Sequence, residues 1–200
     1  MQNCQSGRSM LEMLGVLSIV GVLSIGGLSG YTKMMTQHKI DTCMQQINLI
    51  SAKISAVGSQ TSSYGGLNNA SAVKFGAVPA EATQNGNTDL RNPFGGTITI
   101  QSSFLLSDKN DTQAYAIIYS GLPEEACMAL ASNNWNNSKS SSLLGIGIGS
   151  GAVDSIYQGC PGTSSVACPE GEVTALPMDV SKARAACGCE DNCTLVMKFF

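Results

Sequence analysis

The chain has 200 residues, the length of one domain with one appended element, and only 12% of them are charged, for a net charge of −3. Its 11 lysines and arginines are scattered rather than clustered, which argues against a nucleic-acid-binding protein. Hydrophobic residues make up 43% of the chain, enough for a folded core, and the abundant Ser, Asn, Thr and Gly indicate an uncharged polar surface, as in extracellular proteins.

The first long apolar segment runs from Met13 to Gly30 without a charge or a proline, which predicts a transmembrane helix. A secretory signal peptide would have a basic start, an apolar stretch and a small-residue cleavage site. Here the only basic residue before the segment is Arg8, and an acid, Glu12, follows it. A charge inside a membrane-facing segment costs about 2.5–3.5 kcal/mol at mid-bilayer and less near the interface. The presence of Glu12 therefore indicates that the segment has a function in which a partner group pairs with the acid.

The stretch GRSMLEMLGVLSIVGVL, which begins at Gly7, resembles the class III leader of type IV pilins and pseudopilins. In that family a prepilin peptidase cuts after a glycine on the cytoplasmic side, the new N-terminal amine is methylated, and the fifth mature residue is a glutamate. A cut after Gly7 makes Arg8 the first mature residue, where the family usually has an apolar one, and Glu12 the fifth. The resemblance implies that Glu12 neutralises the N-terminal amine of a neighbouring subunit, so that assembly relieves the cost of the buried acid.

Beyond this segment, apolar residues recur every three or four positions and trace one face of an amphipathic helix. They are Ile40, Cys43, Met44, Ile47, Ile50, Ile54 and Val57. This face predicts packing against a sheet, and Gly58 is the predicted helix end. His38, the single histidine, lies on a polar helix face, where a solvated side chain is expected. The predicted organisation is a leader (1–7), a membrane and filament-core half-helix (8–30), an amphipathic half-helix (31–58) and a globular head (59–200).

The head is predicted to begin with a polar loop that includes a short helical piece around Asn69–Lys74. Turn residues in NPFGG then precede an alternating strand at Thr97–Gln101, and a second strand follows at Gln113–Ser120. We expect the two strands to form a hairpin or meander. The apolar side chains available to cover the helix are Ile98, Ile100, Tyr115 and Ile117.

In GLPEEACMAL, Pro123 followed by two glutamates predicts the start of a short helix over Ala126–Ser132, which carries Cys127. The order NPFGG, strand, GLPEEACMAL resembles the head of type IVb pilins. The implied fold is α+β, with a long N-terminal helix packed on an antiparallel sheet and a disulfide-stabilised C-terminal D-region. The glycines of LLGIGIG lack the βαβ context of a phosphate loop and predict a flexible or edge strand instead.

The chain has eight cysteines, and removal of the leader with Cys4 would leave 8 − 1 = 7, an odd number. At least one is then free or bonded to another chain, and Cys43 is the candidate for a free thiol that packs as a small apolar residue. The six others are Cys127, Cys160, Cys168, Cys187, Cys189 and Cys193.

Disulfides are favoured for these six if the head lies outside the cytoplasm. Zinc is the alternative, but Cys189-x3-Cys193 is the one pair with suitable spacing, and no histidine is near. The spacing does not fix the connectivity. The resemblance implies that Cys127 bonds one cysteine of the 187–193 group, and Cys160–Cys168 would close a local loop.

The sequence has no Ser/His/Asp set, no paired-carboxylate motif and no nucleotide motif, so we expect a non-enzyme with no catalytic residue, metal or cofactor. The resemblance implies a structural subunit of a type IV pilus, made as a precursor in the bacterial inner membrane and assembled into an extracellular filament. Its partners would be copies of itself, the prepilin peptidase and the inner-membrane pilus assembly platform. The alternatives are a minor pilin or type II secretion pseudopilin, and a membrane-anchored, disulfide-rich binding domain that does not polymerise.

Overall fold

The computed structural model describes residues 10–61, 63–84, 88–105, 111–135, 142–149, 151–156, 178–189 and 192–200. The chain forms two compact units, Met1–His38 and Lys39–Phe200.

Helix α1, Met10–Thr61, supplies all of the first unit that the structure describes and the first element of the second. No proline precedes Pro79, so every residue of α1 keeps the backbone N–H that a continuous helix requires. The helix ends three residues after Gly58, the predicted end. Gly58 lies inside the helix, and its lack of a side chain lets the ring of Tyr64 pack directly against it, since a Cβ at Gly58 would be 2.1 Å from Tyr64 Cε1.

The sheet of the second unit is antiparallel, and its described strands are ordered β1-β2-β3-β5-β4. They are β1 (Leu90–Arg91), β2 (Thr97–Ser103), β3 (Ala114–Leu122), β4 (Leu143–Ile148) and β5 (Cys193–Phe199). The predicted pairing of the two strands after NPFGG is confirmed, with Ile100 opposite Ile117 in the β2–β3 ladder. The last described strand, β5, lies between β3 and β4 and is therefore paired on both sides.

One face of the sheet covers the amphipathic part of α1, as the periodicity predicted, except that Val57, the last residue of the predicted apolar face, is exposed. The buried residues of this core include Cys43, Ile47, Ile50 and Ile54 from the helix and Ile98, Ile100, Tyr115 and Ile117 from the sheet. Burial of a side chain of this size contributes about 1.5–3 kcal/mol relative to exposure. The expected α+β fold, a long helix packed on an antiparallel sheet, is therefore confirmed.

The turn in NPFGG is organised by the buried side chain of Asn92. Its Oδ1 accepts hydrogen bonds from Phe94 N at 2.9 Å and Gly96 N at 3.0 Å, and its Nδ2 donates to Ser120 O at 2.8 Å. Gly96 is required for close approach, because a Cβ there would lie 1.8 Å from the carbonyl oxygen of Ser120. These contacts fix the register at the start of the β2–β3 hairpin.

The opposite face of the sheet is covered by a short helix, α4 (Ala152–Ser155), and the residue that follows it, Ile156. The glycines of GIGIG make this possible. A Cβ at Gly145 would lie 2.7 Å from Ile156 Cγ2, and one at Gly147 would lie 2.5 Å from Ala152 Cβ. The segment forms β4, the edge strand that the sequence predicted, and its glycines allow α4 to pack closely on it.

Three further helices complete the described head. They are α2 (Asn69–Lys74), α3 (Glu124–Ala131) and α5 (Val180–Ala186). Helix α2 lies at the predicted position and begins with a capping box between Asn68 and Ser71. Helix α3 begins earlier than predicted, with Pro123 as its N-cap residue. The sequence analysis did not predict β1, α4, α5 or a short 3-10 helix at Ala80–Ala82.

Candidate functional site

The candidate assembly helix is the part of α1 that lies in the first unit. Glu12 lies in its first turn, where a carboxylate interacts favourably with the helix dipole, and its side chain is exposed. Gly7 and Arg8, the predicted processing residues, lie outside the described residues. By length and composition the helix can cross a membrane: its most apolar window has a mean hydropathy of 1.9, and none of that window is buried.

Two serine hydroxyls within the apolar part of this helix are hydrogen-bonded to the helix backbone. Ser18 Oγ donates to Leu14 O, and Ser24 Oγ donates to Val20 O, both at 2.8 Å. Hydroxyls bonded to carbonyls four residues earlier present little unsatisfied polarity to an apolar environment. The surface is therefore apolar on every side, with Glu12 as its one charge before Lys33.

The second candidate region is the disulfide-bonded end of the head. Cys127 on α3 bonds Cys187, the residue that caps α5, with a Cα–Cα distance of 5.9 Å. Cys189 bonds Cys193, the first residue of β5, with a Cα–Cα distance of 5.2 Å. The expected disulfide-stabilised C-terminal region is confirmed, and Cys127 is bonded to a member of the group that the resemblance indicated.

The sulfur atoms of Cys127, Cys189 and Cys193 lie within 4.8 Å of one another, close enough to suggest a metal site from distance alone. In this structure all three belong to disulfides, so they offer no thiolate to a zinc ion. The other two candidate cysteines, Cys160 and Cys168, lie outside the described residues.

Cys43 is a free cysteine, buried on the face of α1 that packs on the sheet. Burial raises the pKa of its thiol to about 12. Burial likewise raises the pKa of Tyr119 well above its usual value, with a smaller contribution from Cys43. The Tyr119 hydroxyl donates to Gln46 Oε1 at 3.4 Å. The thiol thus packs as a small apolar group in the core.

Tyr115 ties the helix to the sheet. Its hydroxyl donates to Ser51 O at 3.0 Å and lies 2.9 Å from Ser55 Oγ, while its ring stacks on that of Phe199 at 5.2 Å between centroids. Burial raises the pKa of this phenol, although the Ser55 hydrogen bond opposes the shift. The contacts connect three elements that are distant in the sequence, namely α1, β3 and β5.

The sequence analysis did not single out Lys198, which is fully buried in the middle of the sheet. Its Nζ donates to Val153 O at 3.3 Å and to Ile156 O, and it lies 3.5 Å from the centroid of the Phe104 ring. The ammonium is thus held by carbonyls at α4 and by an aromatic face. A lone charge within the apolar run LVMKFF was a visible signal, but its partners lie in a helix that the sequence did not predict.

The model of a protein family, PilS N terminal, matches residues 37–198. This chain belongs to the PilS N-terminal family. The match covers the amphipathic part of α1 and nearly all of the head, from which the core described above is built.

Two solved structures resemble the PilS-family chain. The crystal structure of TcpA, a type IV pilin from Vibrio cholerae El Tor biotype, is 18% identical, covers 82% of this chain and 99% of TcpA, and has a TM-score of 0.54. The type IVb pilin from Salmonella typhi is also 18% identical, with coverage of 74% and 91% and a TM-score of 0.45. No curated protein matches the chain. The TcpA match confirms the pilin fold, and processing at Gly7 and Arg8 stays a prediction.

Proposed function

We propose that this chain is a structural subunit of a type IV pilus. It is inserted in the inner membrane as a prepilin, cut after Gly7 by a prepilin peptidase, methylated on the amine of Arg8, and polymerised through its N-terminal helix by the pilus assembly platform. The observation that carries the proposal is a helix that is exposed and uncharged from Met13 to Gly30, with one acid at its start, on a chain of the PilS N-terminal family.

The physical argument concerns what drives a subunit from the membrane into a filament. Lipid tails are as apolar as leucine side chains, so transfer from the bilayer to a filament core yields little hydrophobic free energy. Helix packing contributes, but it does not require an acid. An ionised Glu12 is unfavourable in lipid and becomes favourable beside the N-terminal amine of a neighbour. Pairing of this kind makes the ionised carboxylate of Glu12 more stable in the filament than in the membrane, and so favours assembly.

The test replaces Glu12 and measures fibres and precursor separately. Glu12→Ala should abolish or strongly reduce sheared fibres while the chain still accumulates in the membrane, because the anchor is intact but the pairing is lost. Glu81→Ala is the matched control, since Glu81 is an exposed acid on the head. Both pools are quantified by immunoblot, and normal fibres from Glu12→Ala would contradict the proposal.

A second measurement tests processing. Mass spectrometry of the intact, unreduced chain from host membranes should give a chain that starts at N-methylated Arg8. A chain that starts at Met1 would show that Gly7 is not cut, and one that starts after residue 30 would indicate an ordinary signal peptide. The minor-pilin and pseudopilin alternatives predict the same start but low abundance in sheared fibres. A simple membrane anchor predicts no effect of Glu12→Ala on any assembly.

A further inference from the structure

The second unit contains a half-open cavity of about 330 Å³ between the C-terminal end of α1 and the segment around α2. This volume falls at the lower end of the range for small-molecule sites, about 300–1,000 Å³. The lining is predominantly apolar. It includes Ile54, Val57, Tyr64, Leu67, Phe75 and Ala77.

The wall formed by Tyr64 is fixed by packing on three sides. Its ring lies against the backbone of α1 at Gly58, where no side chain larger than hydrogen fits. The same ring lies 4.7 Å from that of Tyr115, and Tyr64 N donates to Thr112 O at 2.7 Å. Gly66, with a φ of 77°, turns the chain at the adjacent lip. The cavity is therefore formed before any ligand binds.

The described lining of this cavity carries a positive charge and no negative one. Lys53 is the sole charged residue among the described residues that line it. Its Nζ donates to Gly76 O at 2.5 Å, which holds the ammonium at the rim, and an ammonium has three N–H donors. The Ser71 hydroxyl, by contrast, serves the capping box of α2. Phe75 adds an aromatic ring that is 57% exposed.

We propose that this cavity binds a small organic anion with an apolar aromatic body, of the class of aromatic carboxylates. The apolar body lies between Phe75 and the side chains of α1, where burial of its surface drives binding. The carboxylate accepts a hydrogen bond from Lys53 at the rim and remains partly hydrated. The charge of the rim selects an anion over a neutral molecule of the same shape, and over a cation.

The test uses the full chain, oxidised and inserted in lipid nanodiscs, with 4-benzoylbenzoate as the probe and 4-benzoylbenzamide as its uncharged counterpart. On illumination the ketone takes a hydrogen from a nearby C–H group, and the two carbon radicals combine into a covalent bond. Peptide mass spectrometry then maps the bond. We expect saturable labelling within residues 53–77, suppressed by excess unlabelled carboxylate of the same class and weaker with the amide.

Variants identify the cavity and the charge. Lys53→Met keeps the apolar stem and should lower the affinity for the carboxylate about three- to fivefold, with little effect on the amide. Lys74→Met removes the same charge from an exposed residue of α2 outside the cavity and should change neither. Phe75→Ala should weaken binding of both probes, because it removes an apolar wall.

Several results would overturn the proposal. They are labelling that does not saturate, labelling confined to the apolar helix at residues 13–30, equal affinity for the carboxylate and the amide, and equal effects of Lys53→Met and Lys74→Met. The assay requires neither cleavage after Gly7 nor polymerisation, so its outcome is independent of the proposed pilus function.

Discussion

The two described disulfides should differ in what they contribute to stability, because they close loops of very different length. Cys127 and Cys187 are 60 residues apart, whereas Cys189 and Cys193 are 4 apart. In the loop-entropy model a bridge stabilises by restricting the unfolded chain, which gives about 4 kcal/mol for the long loop and about 2 kcal/mol for the short one. We therefore expect Cys127→Ala/Cys187→Ala to lower the free energy of unfolding by about twice as much as Cys189→Ala/Cys193→Ala.

The assay is urea unfolding of the full chain in detergent, followed by the fluorescence of Trp135, the single tryptophan. This residue is a suitable reporter, because it is buried just after α3 and its Nε1 donates to Leu130 O at 2.9 Å. Removal of cysteines in pairs avoids a new unpaired thiol. A domain typically has 5–15 kcal/mol of stability, so both variants should still fold.

Two outcomes would refute the reasoning. Equal losses for the two double variants would show that loop length does not set the contribution of these bridges. A larger loss from the short loop would show that local packing around Cys189 and Cys193 dominates over the restriction of the unfolded chain. Hydrogen exchange of α5 provides a second readout, since that helix is bonded to α3 through Cys187.

Three further substitutions or treatments test the packing of the second unit. Gly58→Ala should destabilise the chain by about 1–3 kcal/mol in urea unfolding, opposite in sign to the usual helix preference for alanine, because the new methyl overlaps the ring of Tyr64. In a Tyr64→Ala background the same substitution should no longer destabilise, and a stabilised Gly58→Ala single variant would contradict the packing. Cys43 should resist alkylation by iodoacetamide at pH 8 in the native chain and react in urea, since burial raises the pKa of its thiol to about 12. Mass spectrometry measures the alkylation, and rapid modification of the native chain would contradict the burial of Cys43. Lys198→Met should lower the free energy of unfolding by about 1–3 kcal/mol, because it removes the donor from two carbonyls at α4. Lys182→Met, at an exposed position, is the control, and equal effects of the two substitutions in urea unfolding would contradict this role of Lys198.

The parts of the fold that the sequence predicted are those in which periodicity and burial agree. The spacing of apolar residues in α1 requires one buried face, and the alternation in β2 requires a strand half covered by something apolar. The two apolar surfaces pack against each other, since Ile50 and Ile54 of the helix lie in one core with the buried residues of the sheet. The position of α2 was also predictable, because capping residues at Asn68 and Ser71 act locally.

Short elements that depend on tertiary contacts were not predicted. Helix α5 has a local signal, since Asp179 accepts a hydrogen bond from Ser181 N at 2.9 Å and this bond lowers the pKa of the carboxyl. A helix as short as α5 is nevertheless unstable alone, and its disulfide to α3 is a long-range constraint that no local pattern reveals. The same holds for α4, and therefore for the burial of Lys198 beneath it.

The burial of Cys43, the free cysteine among the described residues, matters for the chemistry of the described disulfides. A free thiolate attacks disulfides, and its rate of attack depends on how much of the thiol is ionised. A surface cysteine with an ordinary pKa would have an appreciable thiolate fraction at pH 8, whereas burial raises the pKa of Cys43 to about 12 and keeps the thiol protonated at that pH. Three of the bonded sulfur atoms lie within 4.8 Å of one another, so a single exchange at that cluster could spread to both bridges. Burial of Cys43 on the helix face that packs on the sheet thus protects the connectivity of the head, because exchange requires the core to open first.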